Sequence, residues 1–254
     1  MFILECARQA ETYIVHKYEC QSVDTKFILT GWSCEFSRNF TPTVSLQSKS
    51  IFLRITTNNT LRVKDRLLSQ IYRVKVSLDN IHMATVYMSV KYMSDEAYHK
   101  VRAKVNNSII NQKTYFSDQT MNVFPEYVYR RNSNNVVVRS PEFEGEKVTS
   151  LLTVNMSNTA YFDHAQDHYP AMVLMEAGKQ NCQLWISKFK SIKIPVLIEM
   201  QSSFSRYAEF DNDVQIISEK ISSMQENKVI FNVLLKQKGV NIANMVYSFK
   251  MFDI

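Results

Sequence analysis

The chain has 254 residues, 45% of them hydrophobic and 21% charged, with a formal net charge of +6 at pH 7. That length fits one large domain or two of roughly 100–130 residues, and no apolar run reaches the roughly 18 residues that a membrane span needs. Only four glycines and four cysteines occur. The absence of GxGxxG, Walker A and GxSxG patterns excludes a glycine-rich phosphate loop or a hydrolase elbow, and the lack of CxxC or Cys/His spacing argues against zinc.

The N-terminal MFILECARQAETY is apolar only briefly and lacks the basic and cleavage regions of a signal peptide. With free thiols expected at Cys6, Cys20, Cys34 and Cys182, the reading is a cytoplasmic protein. The basic residues are scattered, so the positive field suits an acidic carrier protein or a phosphorylated small molecule, and nucleic acid is not expected.

In chain order, Glu5, Arg8, Gln9, Thr12 and His16 are spaced as one polar stripe of a helix. Ile3, Cys6, Ala7, Ala10 and Ile14 supply the opposite stripe, small enough for close approach to a sheet. Tyr72, Val74, Val76 and Leu78, then Val86, Met88, Val90 and Tyr92, alternate as two strands around a tight turn at Asp79-Asn80. A short helix is predicted at about 95–105, capped by Ser94 and carrying Asp95 and Glu96 in its first turn.

The stretch over about 104–145, with Asn106-Asn107 and Asn132-Ser133-Asn134-Asn135, is irregular and marks a domain boundary. The expected division is a first unit over 1–105, a connecting segment over 106–144 and a second unit over 145–254. EKVTSLLTVN predicts a strand, Pro170 sits at about the first turn of a second helix, and Lys238-Gly239 predicts a second hairpin between VIFNVLLKQ and VNIANMVY.

The two halves repeat. MFILECARQA aligns with MVLMEAGKQN at an offset of 171, pairing Met1 with Met172, Glu5 with Glu176, Arg8 with Lys179 and Gln9 with Gln180. The polar stripe continues in the second copy as Gln183 and Ser187. The apolar one runs Leu174, Ala177, Gly178, Leu184 and Trp185. Ala84, Ser89 and Lys91 align with Ala243, Ser248 and Lys250 in the terminal strands at an offset of 159. Each copy therefore runs from a helix through several antiparallel strands.

The most specific segment is FDHAQDHYPAMVLMEAGKQ, residues 162–180. It resembles the A-factor biosynthesis hotdog family, in which a FDH…DHxPGMxLxEAxRQ pattern enters the central helix. Phe162, Asp163, His164, Asp167, His168, Pro170, Met172, Leu174, Glu176, Ala177 and Gln180 fit, while Ala171 replaces the usual Gly and Lys179 the usual Arg. ECARQA in the first helix and EAYHKVRAK after the first terminal strand also look like the family.

The resemblance spans nearly the whole chain. It implies an α+β tandem double hotdog, two helices each wrapped by antiparallel sheet and set side by side. The first copy is expected to lack its first strand and the preceding loop, as an N-terminally truncated sequence would.

For function, the resemblance implies an acyltransferase joining a β-ketoacyl group from acyl carrier protein to dihydroxyacetone phosphate, toward γ-butyrolactone signals. The acyl group would arrive on the phosphopantetheine of a carrier protein or on coenzyme A, with no metal or redox cofactor. Dehydration or hydrolysis of an acyl thioester, and a non-catalytic acyl-binding module, are the alternatives within the same fold.

Hotdog enzymes commonly use an acidic residue on the central helix. Glu5 and Glu176 are thus candidate general bases, and Arg8 and Lys179 candidate ligands for phosphate or an oxyanion. The competing reading of each Glu–Arg or Glu–Lys pair is an intrahelical ion pair worth about 0.2–0.5 kcal/mol. His164 and His168 are candidate acid–base or positioning groups, or members of a loop-fixing network with Asp163 and Asp167. Gln9, Gln180 and Asp167 complete the expected substrate-binding set, with Gln9 and Gln180 bonding backbone beside the helix. Tyr129, Arg130, Arg131 and Arg139 suggest a basic, aromatic patch. The twelve methionines suit either a pliable acyl tunnel or ordinary core filling.

Overall fold

A computed structural model describes residues 2–37, 50–103, 123–189, 193–221 and 227–253. The chain divides into two compact units, Met1–Ile109 and Ile110–Ile254. Met1, Asn106 and Asn107, used in the sequence reading, lie outside the described residues. The segment read as a connection over 106–144 differs from expectation. Its part from 123 onward belongs to the second unit, to which it contributes two 3-10 turns (Pro125–Val128 and Ser133–Asn135) and a strand.

Unit 1 contains α1 (Phe2–Lys17), β1 (Lys26–Phe36), β2 (Ile51–Val63), β3 (Arg66–Leu78), β4 (Ile81–Met93) and α2 (Asp95–Ala103). Its strands pair antiparallel in the order β2-β3-β4-β1. Unit 2 contains β5 (Val138–Glu144), β6 (Lys147–Leu152), α3 (Ala171–Phe189), β7 (Lys193–Phe204), β8 (Val214–Lys220), β9 (Lys228–Gln237) and β10 (Val240–Asp253). Here the antiparallel order is β7-β10-β9-β8-β6-β5. The last four strands of each unit correspond one to one. Unit 2 adds the β5–β6 hairpin beyond β8. Each unit is a helix packed on an antiparallel sheet, and the fold is a tandem double hotdog.

The turns follow from local chemistry. Asp79 and Asn80 both take positive φ, 46° and 68°, as do Lys238 and Gly239, 52° and 74°. Two consecutive left-handed residues make the hairpin turn whose twist matches the strands it joins. These two turns place Ala84 of β4 and Ala243 of β10 at equivalent positions early in the terminal strands. In α2, the hydroxyl of Ser94 accepts from the backbone N–H of Ala97 at 3.4 Å, closing the predicted cap.

The two central helices are buried to different depths. In α1 the buried residues are Leu4, Ala7, Glu11 and Val15, a single stripe. In α3 every residue from Val173 to Ile186 is buried, the polar ones included. Gly178 makes that depth attainable. A Cβ there would stand 2.9 Å from the Tyr247 hydroxyl oxygen and 3.2 Å from Met245 Sδ on β10. Tyr247 cannot easily retreat, because its hydroxyl donates to the Met175 carbonyl at 2.7 Å in the interior.

Gly178→Val is therefore expected to lower stability by about 1–3 kcal/mol despite the gain in helix propensity, read as a lower midpoint in urea. Ala7→Gly on α1, a position with a Cβ already accommodated, is expected to cost only about 1 kcal/mol.

Candidate functional site

The site is built from α3 outward. Glu176, Lys179 and Gln180 share one helix face at i, i+3 and i+4. Lys179 Nζ lies 2.7 Å from Glu176 Oε2, a buried ion pair. Gln180 Nε2 donates to Glu176 Oε1 at 2.7 Å. From 46 positions upstream, Arg130 donates to the same Oε1.

The Glu176 side chain is 1% exposed, against 22% for Arg130 and 10% for Lys179. Burial by itself would raise the Glu176 carboxyl. The Lys179 ammonium and the Arg130 guanidinium outweigh it and hold the group at about 2. Burial pulls Lys179 down from its ordinary value, and Glu176 partly restores it. A carboxyl held at about 2 is a weak proton acceptor at neutral pH. The three side chains carry two positive charges and one negative.

Gln180 ties this cluster to the covering segment. Its Oε1 accepts from the Val137 backbone N–H at 2.9 Å, and its Nε2 also donates to the Asn135 carbonyl at 2.7 Å. The Tyr161 hydroxyl reaches the same carbonyl at 3.4 Å. Burial raises Tyr161 above its ordinary value, and the nearby Glu176 charge adds to the rise. The loop before α3 thus meets the Glu176 cluster through Asn135 and Tyr161.

That loop positions both histidines beside aspartates. His164 Nδ1 is 2.6 Å from Asp163 Oδ1, and His168 Nδ1 is 2.6 Å from Asp167 Oδ1. The His164 side chain is 61% exposed and its Nε2 is occupied by Gln166 at 2.6 Å. His168 is 22% exposed and packs edge-on against Tyr207, with 4.6 Å between ring centroids. Tyr169 anchors the loop: its N–H bonds the Ala208 carbonyl at 2.8 Å and its ring meets Phe210. Among the described residues no three His, Cys, Asp or Glu groups gather to hold a metal ion.

In α1 the repeated motif makes the same local geometry in a different setting. Arg8 donates two bonds to Glu5, at 2.7 and 2.9 Å, and Gln9 Nε2 donates to Glu5 at 2.8 Å. The Glu5 side chain is 37% exposed. Gln180 bonds backbone as expected, whereas Gln9 turns to Glu5. The basic patch does not form as a unit: Arg130 goes to Glu176, Arg139 pairs with Asp213 at 2.9 Å, Tyr129 bonds the Lys193 carbonyl at 3.3 Å and Arg131 is exposed.

The A-factor biosynthesis hotdog domain matches residues 1–94 and 112–253. The chain belongs to that family. A relative, the 2-oxo-3-(phosphooxy)propyl 3-oxoalkanoate synthase of Streptomyces virginiae, is 32% identical over 100 residues. That match covers 35% of this chain and 33% of the relative, so the chain spans about a third of that protein's length.

Among solved structures, a tesB protein of Mycobacterium avium subspecies paratuberculosis is similar with a TM-score of 0.56 at 8% identity, over 96% of this chain and 85% of that one. The 12:0-ACP thioesterase of Umbellularia californica is similar with a TM-score of 0.54 at 8% identity, over 90% and 74%. At such identities the likeness is one of fold. No helix of the described residues is long and apolar enough to cross a membrane.

For this A-factor biosynthesis hotdog chain, sequence reasoning placed Glu176, Lys179 and Gln180 together but missed the roles of Arg130, Asn135 and Tyr161. No local periodicity links residues 15 to 46 positions away. The signals in the sequence were the basic run around Arg130 and the turn chemistry of the Asn132–Asn135 run.

The contrast between the copies is measurable. Glu176→Gln leaves two cations facing a neutral amide in the interior and is expected to cost about 3–5 kcal/mol. Glu5→Gln, at a partly exposed pair, is expected to cost less than about 1 kcal/mol. The folded value of Glu176 lies below its ordinary 4.5, so its stabilisation is complete above that pH and is lost as pH falls from 4.5 toward 2. Urea titrations of wild type and Glu176→Gln at pH 7 and pH 3 should show the gap between them shrinking in acid.

Proposed function

We propose that this chain is an acyltransferase that moves a β-ketoacyl group from a carrier-protein or coenzyme A thioester to the hydroxyl of dihydroxyacetone phosphate. The observation that carries the reading is the buried Glu176–Lys179–Arg130 cluster with its surplus positive charge. Family membership and the partial likeness to the Streptomyces synthase supply the reaction class.

In this reading Glu176 is an anchor. It fixes Lys179 and Arg130 so that they meet an anionic oxygen, the acceptor's phosphate or the oxyanion of the tetrahedral intermediate. His168 is the base: Asp167 on Nδ1 sets the tautomer and presents Nε2. The acceptor oxygen attacks the thioester carbonyl, its proton passes to His168, the C–S bond breaks, and the proton leaves with the thiol. Gln180 positions the covering segment, while Glu5, Arg8 and Gln9 repeat the anchor on a more open helix.

The test is thiol release from β-ketoacyl, β-hydroxyacyl and saturated acyl thioesters, with and without dihydroxyacetone phosphate. Release from the β-ketoacyl thioester that requires the acceptor and yields the ester is expected. Acceptor-independent release would mean hydrolysis and defeat the proposal, as would inertness toward every thioester. His168→Ala is expected to lower kcat by about 10²–10⁴-fold, and Arg130→Ala to raise the KM for the phosphorylated acceptor.

A further inference from the structure

Unit 1 contains a buried polar chain that neither the helix motif nor the proposed reaction uses. It starts at Glu11, the charged member of the buried stripe of α1, which is 3% exposed. The Tyr92 hydroxyl on β4 lies 2.7 Å from Glu11 Oε1 and 2.8 Å from the Tyr72 hydroxyl on β3. Tyr72 in turn bonds Gln70 Oε1, and Gln70 Nε2 bonds Thr60 Oγ1 at 3.0 Å. Tyr72, Tyr92 and Gln70 are buried, and Thr60 on β2 is exposed. The chain therefore runs from the helix, across three strands, to the surface.

Counting protons along it is decisive. With the Gln70 amide oxygen facing Tyr72, the Tyr72 proton is committed to Gln70. Tyr92 then has one proton for two oxygen neighbours. If it goes to Glu11, the Tyr72–Tyr92 contact holds no proton, and two lone pairs face each other at 2.8 Å. If it goes to Tyr72, the Glu11–Tyr92 contact must be filled from the other side, by a proton on Glu11. Every contact is satisfied only when Glu11 is a neutral carboxylic acid.

The ionised form demands the opposite polarity throughout. Thr60 donates to the Gln70 oxygen, Gln70 turns its amide over and donates to Tyr72, Tyr72 donates to Tyr92, and Tyr92 donates to the carboxylate. We infer that Glu11 is a proton-binding site, and that taking up or releasing its proton reverses the donor–acceptor direction of the whole chain from α1 to β2. On release the O–H bond of Glu11 breaks and the proton goes to solvent. No other covalent bond changes.

The surroundings agree with a site that can work near neutrality. Burial pushes Glu11 up, opposed by Tyr92, by Thr12 at 3.5 Å and by the charge of Arg8, leaving it at about 7. Glu19 and Arg62, which pair with each other, act on the chain at Tyr72. The consequence falls on α1. Glu11 sits on the stripe that docks this helix, three residues from Arg8 and six from Glu5, so its charge state sets how firmly the first copy of the motif is held.

The folded value lies above the ordinary one. The proton's contribution to stability is therefore complete below pH 4.5 and is lost as pH rises through about 7. Infrared titration of the carboxyl stretch in the full chain is expected to show a carboxylic acid with a midpoint near pH 7 that Glu11→Gln removes. Glu11→Gln mimics the protonated chain. Its unfolding constant should keep a fixed ratio to that of wild type below pH 4.5, and wild type should then lose ground by roughly a hundredfold between pH 4.5 and pH 8.

Tyr72→Phe separates the chain from mere burial. Without an acceptor for Tyr92, the ionised form gains, and the midpoint should fall. No carboxyl titrating near neutrality, or one that Glu11→Gln leaves in place, would overturn the site. A midpoint unmoved in Tyr72→Phe would overturn the directional chain.

Discussion

Everything near the second helix depends on one constraint: a carboxylate removed from water has to be matched by charge. Glu176 is the group so removed. Lys179, one turn along, supplies a cation at one oxygen, so local sequence leaves the other oxygen to be matched from elsewhere. Arg130 and Gln180 make up the deficit at the other oxygen. Recruiting Arg130 obliges the chain before β5 to fold over α3, and Gln180 then pins that segment at Asn135 and Val137. The fold of this region is a consequence of neutralising one negative charge, and it overshoots by one positive charge.

Comparison of the copies separates what a helix encodes from what its surroundings decide. The Glu–Arg–Gln and Glu–Lys–Gln triads have nearly the same internal distances because i, i+3 and i+4 neighbours on a helix meet wherever the helix lies. Their chemistry differs because water reaches one and not the other. A salt bridge of about the same length is a surface contact in α1 and a structural necessity in α3.

Much of the fold was legible in the sequence for the same reason: helix periodicity, strand alternation and left-handed turn residues are local properties. Asp79-Asn80 and Lys238-Gly239 announced their hairpins, and FDH…DH announced the loop before α3. What stayed hidden was tertiary. Spacing marks Glu176, Lys179, Gln180 and Gln183 as a polar face, and polar faces ordinarily meet water, yet all four are buried. The stripe read as apolar in α1 is turned in the structure toward Leu4, Ala7, Glu11 and Val15, so that a glutamate enters the core. Tyr92, backed by Tyr72, reaches it from some 60 to 80 positions away in sequence.

The contact at Gly178 has a consequence for traffic. On that side, the helix backbone lies against the Tyr247 ring with no space for a methyl group, and the Tyr247 hydroxyl holds the Met175 carbonyl. The β10 face of α3 is a sealed wall. Lys179 and Arg130 lie toward the other face, which residues 130–137 and Tyr161 cover. The hydrogen bonds of Gln180 to Asn135 and Val137 hold that segment against the helix, so uncovering this face means breaking both together.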